Sequence, residues 1–263
     1  MELIVLASGS KGNATYLEIG NEKILIDCGL SYKQIKDRLA EYDKTIDGLT
    51  KVFITHEHSD HVGHLGMLAK KHDFDIYLSE GTLAKLKKKI KYTIDCRRYK
   101  TILPEEMLEF DDFNVLPFDI YHDATEPLGY RFFEGEKSVV YITDTGYFPM
   151  RKYHLIANAE VYIIESNHEV EMLLESDRPW LLKRRILDDE GHLSNEDSAN
   201  LLLNIAGDKT RYIILAHLSA ECNVNEKALD AYNKAFIAQG VDIYAYRLIV
   251  AEQNYPTELI KLG

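Results

Sequence analysis

The most constraining feature of the chain is the run T-H-E-H-S-D-H at residues 55–61. It follows a short apolar stretch that reads as a buried strand, so the run is predicted to form a loop at the carboxyl end of that strand. In extended backbone, side chains two residues apart point the same way, which allows His56 and His58 to bind one ion together. Asp60 and His61 follow after a turn and are placed to bind a second ion. Imidazole and carboxylate groups are ligands for zinc, manganese and iron.

The alternative is a polar loop whose histidines only make hydrogen bonds. Four ligand-type side chains within six residues favour metal binding over that alternative. Several apolar segments also end on a polar residue that can bind or support a metal, namely Asp27, His56, His122, Asp144 and His217. Side chains from separate strand ends converge if those ends meet at one edge, which is a rigid way to build a site. At three of these positions the sequence leaves open an alternative to metal binding. His122 is alternatively a surface residue, Asp144 the cap of a turn and His217 a core histidine.

The order of the predicted elements indicates the fold class. Short strands come first, followed by strands mixed with helices, and no linker rich in Pro, Gly or Ser divides the chain. This order predicts one α/β domain over residues 1–263, with two sheets inside and helices outside. Specific predictions are a helix capped by Ser31, a basic helix at 82–91, a helical segment at 169–187 broken at Pro179, a helix capped by Ser194, a helix at 225–238 and a closing strand at 242–250.

Composition excludes some classes of protein and indicates a compartment. No apolar run approaches the roughly 20 residues needed to cross a bilayer, so no membrane association is predicted. The N-terminus lacks the basic start and long apolar stretch of a secretory signal. The three cysteines, Cys28, Cys96 and Cys222, form no C-x-x-C pair. Reduced thiols in a cytoplasmic protein are therefore expected.

Basic residues are clustered, although the net charge of the chain is −12. That charge argues against broad binding to polyanions but permits a local basic face. Three basic runs consist of Lys85, Lys87, Lys88, Lys89 and Lys91; Arg97, Arg98 and Lys100; and Lys183, Arg184 and Arg185. Such runs are more often solvated faces than binding sites. The functional alternative is contact with backbone phosphates that is largely indifferent to base sequence.

Six motifs occur in order along the chain: I-D-C-G, T-H-E-H-S-D-H, Y-I-T-D-T-G, E-S-N-H, G-H-L-S-N and A-H-L-S. Together they resemble the metallo-β-lactamase superfamily, and within it the YycJ/WalJ (VicX) branch of bacterial proteins. The resemblance covers nearly the whole chain and implies the four-layer αββα sandwich of that fold. It also implies a 5′-to-3′ DNA exonuclease. One departure is Cys222-Asn223, where the resemblance leads us to expect a pair of asparagines.

The resemblance also assigns roles to individual residues. His56, His58 and His122 would hold one ion, Asp60, His61 and His217 would hold the other, and Asp144 would bridge them. Asp27 would support the ligands. Asp60 and His192 would be catalytic, with His192 binding a phosphate or protonating the leaving oxygen. For His192 the alternative is a surface-loop histidine. Substrate contacts are expected from a further group, Asn167, His168, Ser194 and Asn195.

The leading functional hypothesis is a dinuclear-metal phosphodiesterase that hydrolyses nucleic acid, with DNA as the expected partner. Two divalent ions, zinc or manganese and alternatively iron, would lower the pKa of a bridging water and generate hydroxide at neutral pH. A small-molecule phosphodiesterase or thioester hydrolase would use the same ligands, so the motifs do not separate these functions. A metal-bound regulatory protein is a third hypothesis, disfavoured by the complete ligand set. The sequence leaves the metal and the oligomeric state open.

Overall fold

The computed structural model describes residues 1–89 and 94–263. In this part of the chain there are fourteen strands: β1 (Glu2–Ala7), β2 (Ala14–Ile19), β3 (Glu22–Ile26), β4 (Leu49–Phe53), β5 (Asp75–Leu78), β6 (Tyr99–Thr101), β7 (Leu108–Glu109), β8 (Asn114–Asp119), β9 (Leu128–Glu134), β10 (Lys137–Ile142), β11 (Val161–Glu165), β12 (Tyr212–Ala216), β13 (Arg247–Val250) and β14 (Ile260–Lys261). The same residues contain nine α-helices: α1 (Tyr32–Ala40), α2 (Ser59–Val62), α3 (Leu65–Ala69), α4 (Glu80–Lys89), α5 (Tyr153–Ile156), α6 (Val170–Glu175), α7 (Trp180–Leu187), α8 (Asn195–Ile205) and α9 (Asn225–Ala238).

The strands form two sheets of seven, with the orders β14-β1-β2-β3-β4-β5-β6 and β13-β12-β11-β10-β9-β8-β7. Apolar side chains from both sheets, such as Val5 and Ile163, share one buried cluster between the sheets. The opposite face of each sheet packs against helices, as Ile35 of α1 and Leu202 of α8 illustrate. Because both faces of each sheet are covered, central strands such as β2 and β11 are buried along nearly their whole length. The predicted four-layer αββα sandwich is confirmed.

Strand direction decides where the functional residues can meet. β3, β4, β5 and β6 run parallel to one another, and so do β10, β11, β12 and β13. β8 also shares the direction of β10, since each is antiparallel to the intervening β9. Within each sheet the carboxyl ends of these strands therefore lie at one edge, which is where side chains following the strands can converge.

Several predicted elements are confirmed in detail. The predicted helix at 225–238 is α9, with the same limits. Ser31 caps α1, since its side chain accepts a hydrogen bond from the Gln34 amide in a capping box. Pro179 precedes the first residue of α7 and separates that helix from α6. Residues 90 and 91 of the predicted basic helix lie outside the described residues.

The predicted closing strand at 242–250 is partly wrong. Residues 243–245 form a 3-10 turn, and only β13 is a strand. The chain then continues to β14, which adds to the first sheet by pairing Ile260 with Leu3 of β1. This strand is two residues long and is fixed by the burial of Ile260 and Leu262 against the core between the sheets. No local sequence pattern therefore predicts it. Among the described residues, no helix is both long and apolar enough to cross a bilayer.

Candidate metal centre

Side chains that follow the strands of both sheets converge at one edge of the sandwich. Asp27 follows β3 directly, and the loop at residues 55–61 begins two residues after β4. From the second sheet, His122, Asp144 and His217 follow β8, β10 and β12. The structure brings all seven predicted ligands into overlapping groups whose ligand atoms lie within 4.8 Å of one another, namely His56, His58 and His122; His56, His61 and Asp144; and Asp60, His61 and His217.

Three of these strand-end residues have an unusual backbone. Asp27, Asp144 and His217 have φ angles of 62°, 58° and 56°, in the left-handed region that non-glycine residues seldom adopt. Such a conformation costs about 1 kcal/mol or more per residue and persists only where the surrounding structure imposes it. In this protein it turns the chain sharply where each strand ends, and the three side chains are directed into a common site.

The histidine loop is held against the first sheet by main-chain hydrogen bonds. Asp60 and His61 lie in the single turn of α2, where the Asp60 carbonyl accepts from the Asn13 amide and the His61 carbonyl accepts from the Cys28 amide. Gly29 permits this close packing, because a Cβ atom at that position would lie 1.7 Å from the Asp60 carbonyl oxygen. The loop is therefore fixed by the backbone of its neighbours.

Buried hydrogen bonds orient the imidazole rings. The Asp27 carboxylate accepts a hydrogen bond from His61 Nδ1 at 2.7 Å, and the Glu165 carboxylate accepts one from His217 Nδ1 at 3.1 Å. The Thr55 hydroxyl lies 3.0 Å from Nδ1 of His56. Since a carboxylate can only accept, the rings of His61 and His217 carry a proton on Nδ1 and direct Nε2 toward the cluster.

The residues present fit a metal site. Nε2 of His56, Nε2 of His217 and Oδ2 of Asp144 are buried without a hydrogen-bond partner. Buried polar atoms normally have a hydrogen-bond partner, so three such nitrogen and oxygen atoms without one in a single cluster require an explanation. Coordination of a divalent ion provides it, because neutral imidazole nitrogen and carboxylate oxygen are its ordinary ligands.

Nearby carboxylates raise the pKa values of the clustered histidines, whereas burial lowers them. Burial lowers the pKa of His56 well below its ordinary value, and it also lowers that of His122. At His217, burial is outweighed by Asp144, Asp60 and Glu165, which raise the pKa to about 10. The carboxylates of Asp27 and Asp144 likewise raise the pKa of His61 against the effect of burial.

These shifts predict that metal binding releases protons. At neutral pH, the metal-free protein holds protons on His61 and His217, and a metal must displace the proton on each coordinating nitrogen. The apparent metal affinity is therefore expected to rise with pH through the neutral range, until His217 loses its proton near its raised pKa of about 10. Calorimetric titration with Zn²⁺ in buffers of different ionisation enthalpy measures the released protons. Affinity that is constant or falls with rising pH, with no proton release, would contradict this protonation state.

Glu165 is the most important residue that sequence reasoning missed. It is the last residue of β11 and fully buried, and its Oε1 accepts hydrogen bonds from His192 Nδ1 at 2.8 Å and from His217. Its Oε2 accepts from the amides of Thr145 and Leu193. Burial opposes its charged form, but His192 and His217 lower its pKa to about 2. Its position at the end of a strand was the available signal.

The Glu165→Gln variant is expected to lose about 10- to 100-fold in metal affinity or turnover, the usual cost of removing a partner of a metal ligand. The new amide would place N–H donors against the imidazole or backbone donors that the carboxylate now satisfies. Metal titration measures the loss of affinity, and an assay of the expected phosphodiester hydrolysis measures the loss of turnover. Glu160→Gln, which changes a glutamate just before the opposite end of β11, is the matched control. Equal losses in both variants would mean that Glu165 has only a general structural role.

His192 lies beside the predicted ligands, on a cavity of about 170 Å³ that His122 and His217 also line. Its Nδ1 donates a hydrogen bond to Glu165 and lies 3.8 Å from Asp144 Oδ1. Burial would lower the pKa of His192, but the Glu165 carboxylate outweighs burial and raises it. With Nδ1 engaged, the charged ring has its second proton on Nε2. This arrangement suits the predicted role in donating a proton.

The predicted substrate residues differ in their surroundings. Asn167 lines the cavity, and its Nδ2 donates to the His217 carbonyl at 2.8 Å. The ring of His168 is buried, and burial lowers its pKa to about 4. Ser194 accepts from the Asp197 amide as the cap of α8. Asn195 exchanges hydrogen bonds with Asn223, the second residue of the Cys222-Asn223 pair. Contact of these four side chains with substrate stays a prediction.

Two further neighbours of the cluster were also missed. Asn13, in a turn that reads as a simple connection, places its Nδ2 3.0 Å from His61 Nε2. Asp123, directly after His122, places Oδ1 3.4 Å from His122 Nε2 and 3.8 Å from His58 Nε2. The H-D dipeptide was a local signal for Asp123, whereas nothing in the sequence around Asn13 points to the site.

The three basic runs are not uniform in the structure. Arg98 donates to the carbonyls of Phe74, Ala69 and His72, and Lys183 donates to those of Leu174 and Ser176. These two cations therefore stabilise the fold. Arg97 pairs with Asp95 and is exposed, as are Lys85, Lys87, Lys88 and Arg184. Lys91 lies outside the described residues.

Comparison with known proteins gives consistent matches. A family model described as a beta-lactamase superfamily domain matches residues 22–218. The chain is 40% identical over 255 residues to exodeoxyribonuclease WalJ of Streptococcus pneumoniae, covering 92% of each chain. It is 36% identical over 256 residues to exodeoxyribonuclease YycJ of Bacillus anthracis, covering 97% of each. Among solved structures, the metallo-beta-lactamase fold protein YhfI of Bacillus subtilis aligns with a TM-score of 0.72 at 17% identity, over 98% of this chain and 99% of that one.

Proposed function

Because the chain belongs to the metallo-β-lactamase superfamily and to its WalJ/YycJ branch, we propose that it is a metal-dependent exodeoxyribonuclease. The observation that carries the proposal is the convergence of seven imidazole and carboxylate side chains from separate strand ends. The relatives with 36% and 40% identity are both named exodeoxyribonucleases, and they match over more than nine-tenths of their length. Together these observations favour hydrolysis of a DNA phosphodiester.

The cluster offers donors for two ions. His56, His58 and His122 would hold one of them, and Asp60, His61 and His217 would hold the other, with Asp144 shared between them. When bound, two such ions supply positive charge for the phosphate oxygens and an activated water as nucleophile. The donor set accepts zinc, manganese or iron.

The residues of the chain supply orientation and a proton. Asp27 and Glu165 fix the rings of His61 and His217 through Nδ1, so that these ligands cannot rotate away. His192 holds a proton at Nε2 and would donate it to the leaving oxygen as the bond to phosphorus breaks. Glu165 stabilises the charged ring until that transfer. The Glu165 carboxylate therefore orients the predicted ligand His217 and also stabilises the proton donor His192.

Finer features of the function belong to the same proposal. We assign DNA as the substrate because of the names of the two relatives, and 5′-to-3′ polarity because of the resemblance seen in the motifs. Residues that follow strands of both sheets build the site, which supports one domain over residues 1–263. The three cysteines are free thiols, which supports a cytoplasmic location.

A substrate panel tests this function. Duplex and single-stranded DNA labelled at either end, matched RNA, bis-p-nitrophenyl phosphate and a glutathione thioester are incubated with metal-loaded protein. Progressive loss of nucleotides from the 5′ end of DNA is the expected result. Hydrolysis of the small esters with DNA untouched would instead identify a small-molecule hydrolase. Two bound ions with no hydrolysis of any phosphodiester would favour a regulatory protein.

A further inference from the structure

The cavity beside the metal centre has a second wall that carries arginines. His122, His192 and His217 line it on the side of the cluster, whereas Arg178, Leu182 and Arg185 line it from the segment that includes α7. The cavity is open to solvent at its mouth, and it is continuous with the site where a phosphodiester would be cleaved. A strand bound at the metal centre would extend across this second wall.

Arg185 is linked to the cluster through a single carboxylate. Its Nε and one Nη donate to Oδ2 of Asp123, while Oδ1 of the same carboxylate lies 3.4 Å from His122 Nε2. The Asp123 amide donates to the Glu190 carbonyl at 3.1 Å, which fixes this connection to the loop after α7. The guanidinium is thus oriented, although the Arg185 side chain is 62% exposed.

An arginine held in this way retains donors for an anion. Guanidinium has five N–H groups on three nitrogens, and the Asp123 contact uses only two of those nitrogens. Its fork geometry suits phosphate as well as carboxylate. Within α7 the neighbouring cations differ in role, because Lys183 donates to main-chain carbonyls and Arg184 lines an adjoining groove, which Arg185 also lines, but not the cavity itself. Arg185 is the member of this basic run that lines the cavity next to the cluster.

We infer that Arg185 contacts a phosphate of the bound DNA strand other than the phosphate being hydrolysed. Asp123 lies between the guanidinium and the predicted ligands, so Arg185 is set apart from the position of the reacting phosphorus. The inference rests on the proposed function and adds a residue that positions the substrate. Of the basic run Lys183, Arg184 and Arg185, only Arg185 is assigned a contact with the DNA backbone.

The test compares two adjacent arginines that differ in placement but not in charge. Arg185→Gln and Arg184→Gln are made in the metal-loaded His192→Ala protein, whose slow turnover allows binding to be measured. Fluorescence anisotropy of a labelled single-stranded oligonucleotide gives the Kd over a range of salt concentrations. Loss of one charged contact in Arg185→Gln is expected to raise Kd about tenfold. It should also reduce the slope of log K against log salt by about 0.7. Arg184→Gln should change neither quantity.

The outcomes distinguish a DNA phosphate from free inorganic phosphate, and they distinguish failure of the Arg185 inference from failure of the proposed substrate. Equal weakening by both substitutions would indicate general electrostatic attraction and overturn the assignment. An Arg185 site that takes only free inorganic phosphate would leave the Kd for DNA unchanged in Arg185→Gln, and it would also overturn it. The unsubstituted chain is assayed in parallel for DNA degradation. Degradation with no effect of Arg185→Gln refutes only this inference, whereas absence of both binding and degradation refutes the proposed substrate as well.

Discussion

Replacement of His58 by alanine is expected to abolish DNA hydrolysis and to remove bound metal in the same step. His58 groups with His56 and His122, and loss of one imidazole leaves an ion with too few protein ligands. The ion contributes several kcal/mol of transition-state stabilisation, so the rate should fall by about 10³-fold or more. The side chain of His58 is 29% exposed, and its removal should leave the fold intact. Elemental analysis and end-labelled DNA assays on the same preparation measure both effects.

His64→Ala is the matched control for this variant. His64 is exposed and lies three residues after His61, at the start of α3, where its side chain makes no capping hydrogen bond. Its loss should leave metal content and hydrolysis unchanged. Unaltered nuclease activity in purified His58→Ala protein would be incompatible with the proposed mechanism.

Replacement of His192 by alanine is expected to separate metal binding from turnover. The variant should retain two ions, because the seven predicted ligands remain, while kcat falls by about 10²- to 10⁴-fold through loss of the proton donor. His192 also lies in a group with Asp144, Glu165 and His217, so the structure permits a second role as a ligand. Metal content decides between these roles: loss of an ion in His192→Ala would place His192 among the ligands.

The pH profile gives an independent check on His192. Glu165 raises the pKa of this ring against the effect of burial, which favours the acid form. In the metal-loaded protein, kcat should decrease as pH rises through the pKa of His192. The alkaline limb should disappear in His192→Ala. An identical limb in both proteins would assign that titration to another group.

The sequence identified the side chains that converge at this edge because their signal is local. Each predicted ligand either lies in the histidine loop or follows an apolar strand, and parallel strands bring such positions to one edge. Glu165 carried the same strand-end signal but was overlooked beside Asn167 and His168. Asn13 offered no such signal, because its contact with His61 depends on how the first turn packs against the histidine loop.

Charge patterns were less informative than strand ends. Lys183, Arg184 and Arg185 are adjacent in sequence, yet one donates to carbonyls inside the fold, one lines a neighbouring groove, and one pairs with Asp123 at the cavity. Helical geometry directs consecutive side chains to different sides, so the run itself does not reveal which cation reaches the site. The final strand β14 was missed for a related reason, since tertiary packing against β1 determines it.

Metal titration of the purified chain, followed by DNA hydrolysis in the same samples, tests the central claim most directly. Protein stripped of metal by EDTA is reloaded with increasing Zn²⁺ or Mn²⁺, and bound metal is counted per chain. We expect binding to saturate at two ions per chain, with release of nucleotides from DNA appearing as the sites fill. Full hydrolysis by the stripped protein in excess EDTA, or saturation without any tightly bound ion, would contradict the account.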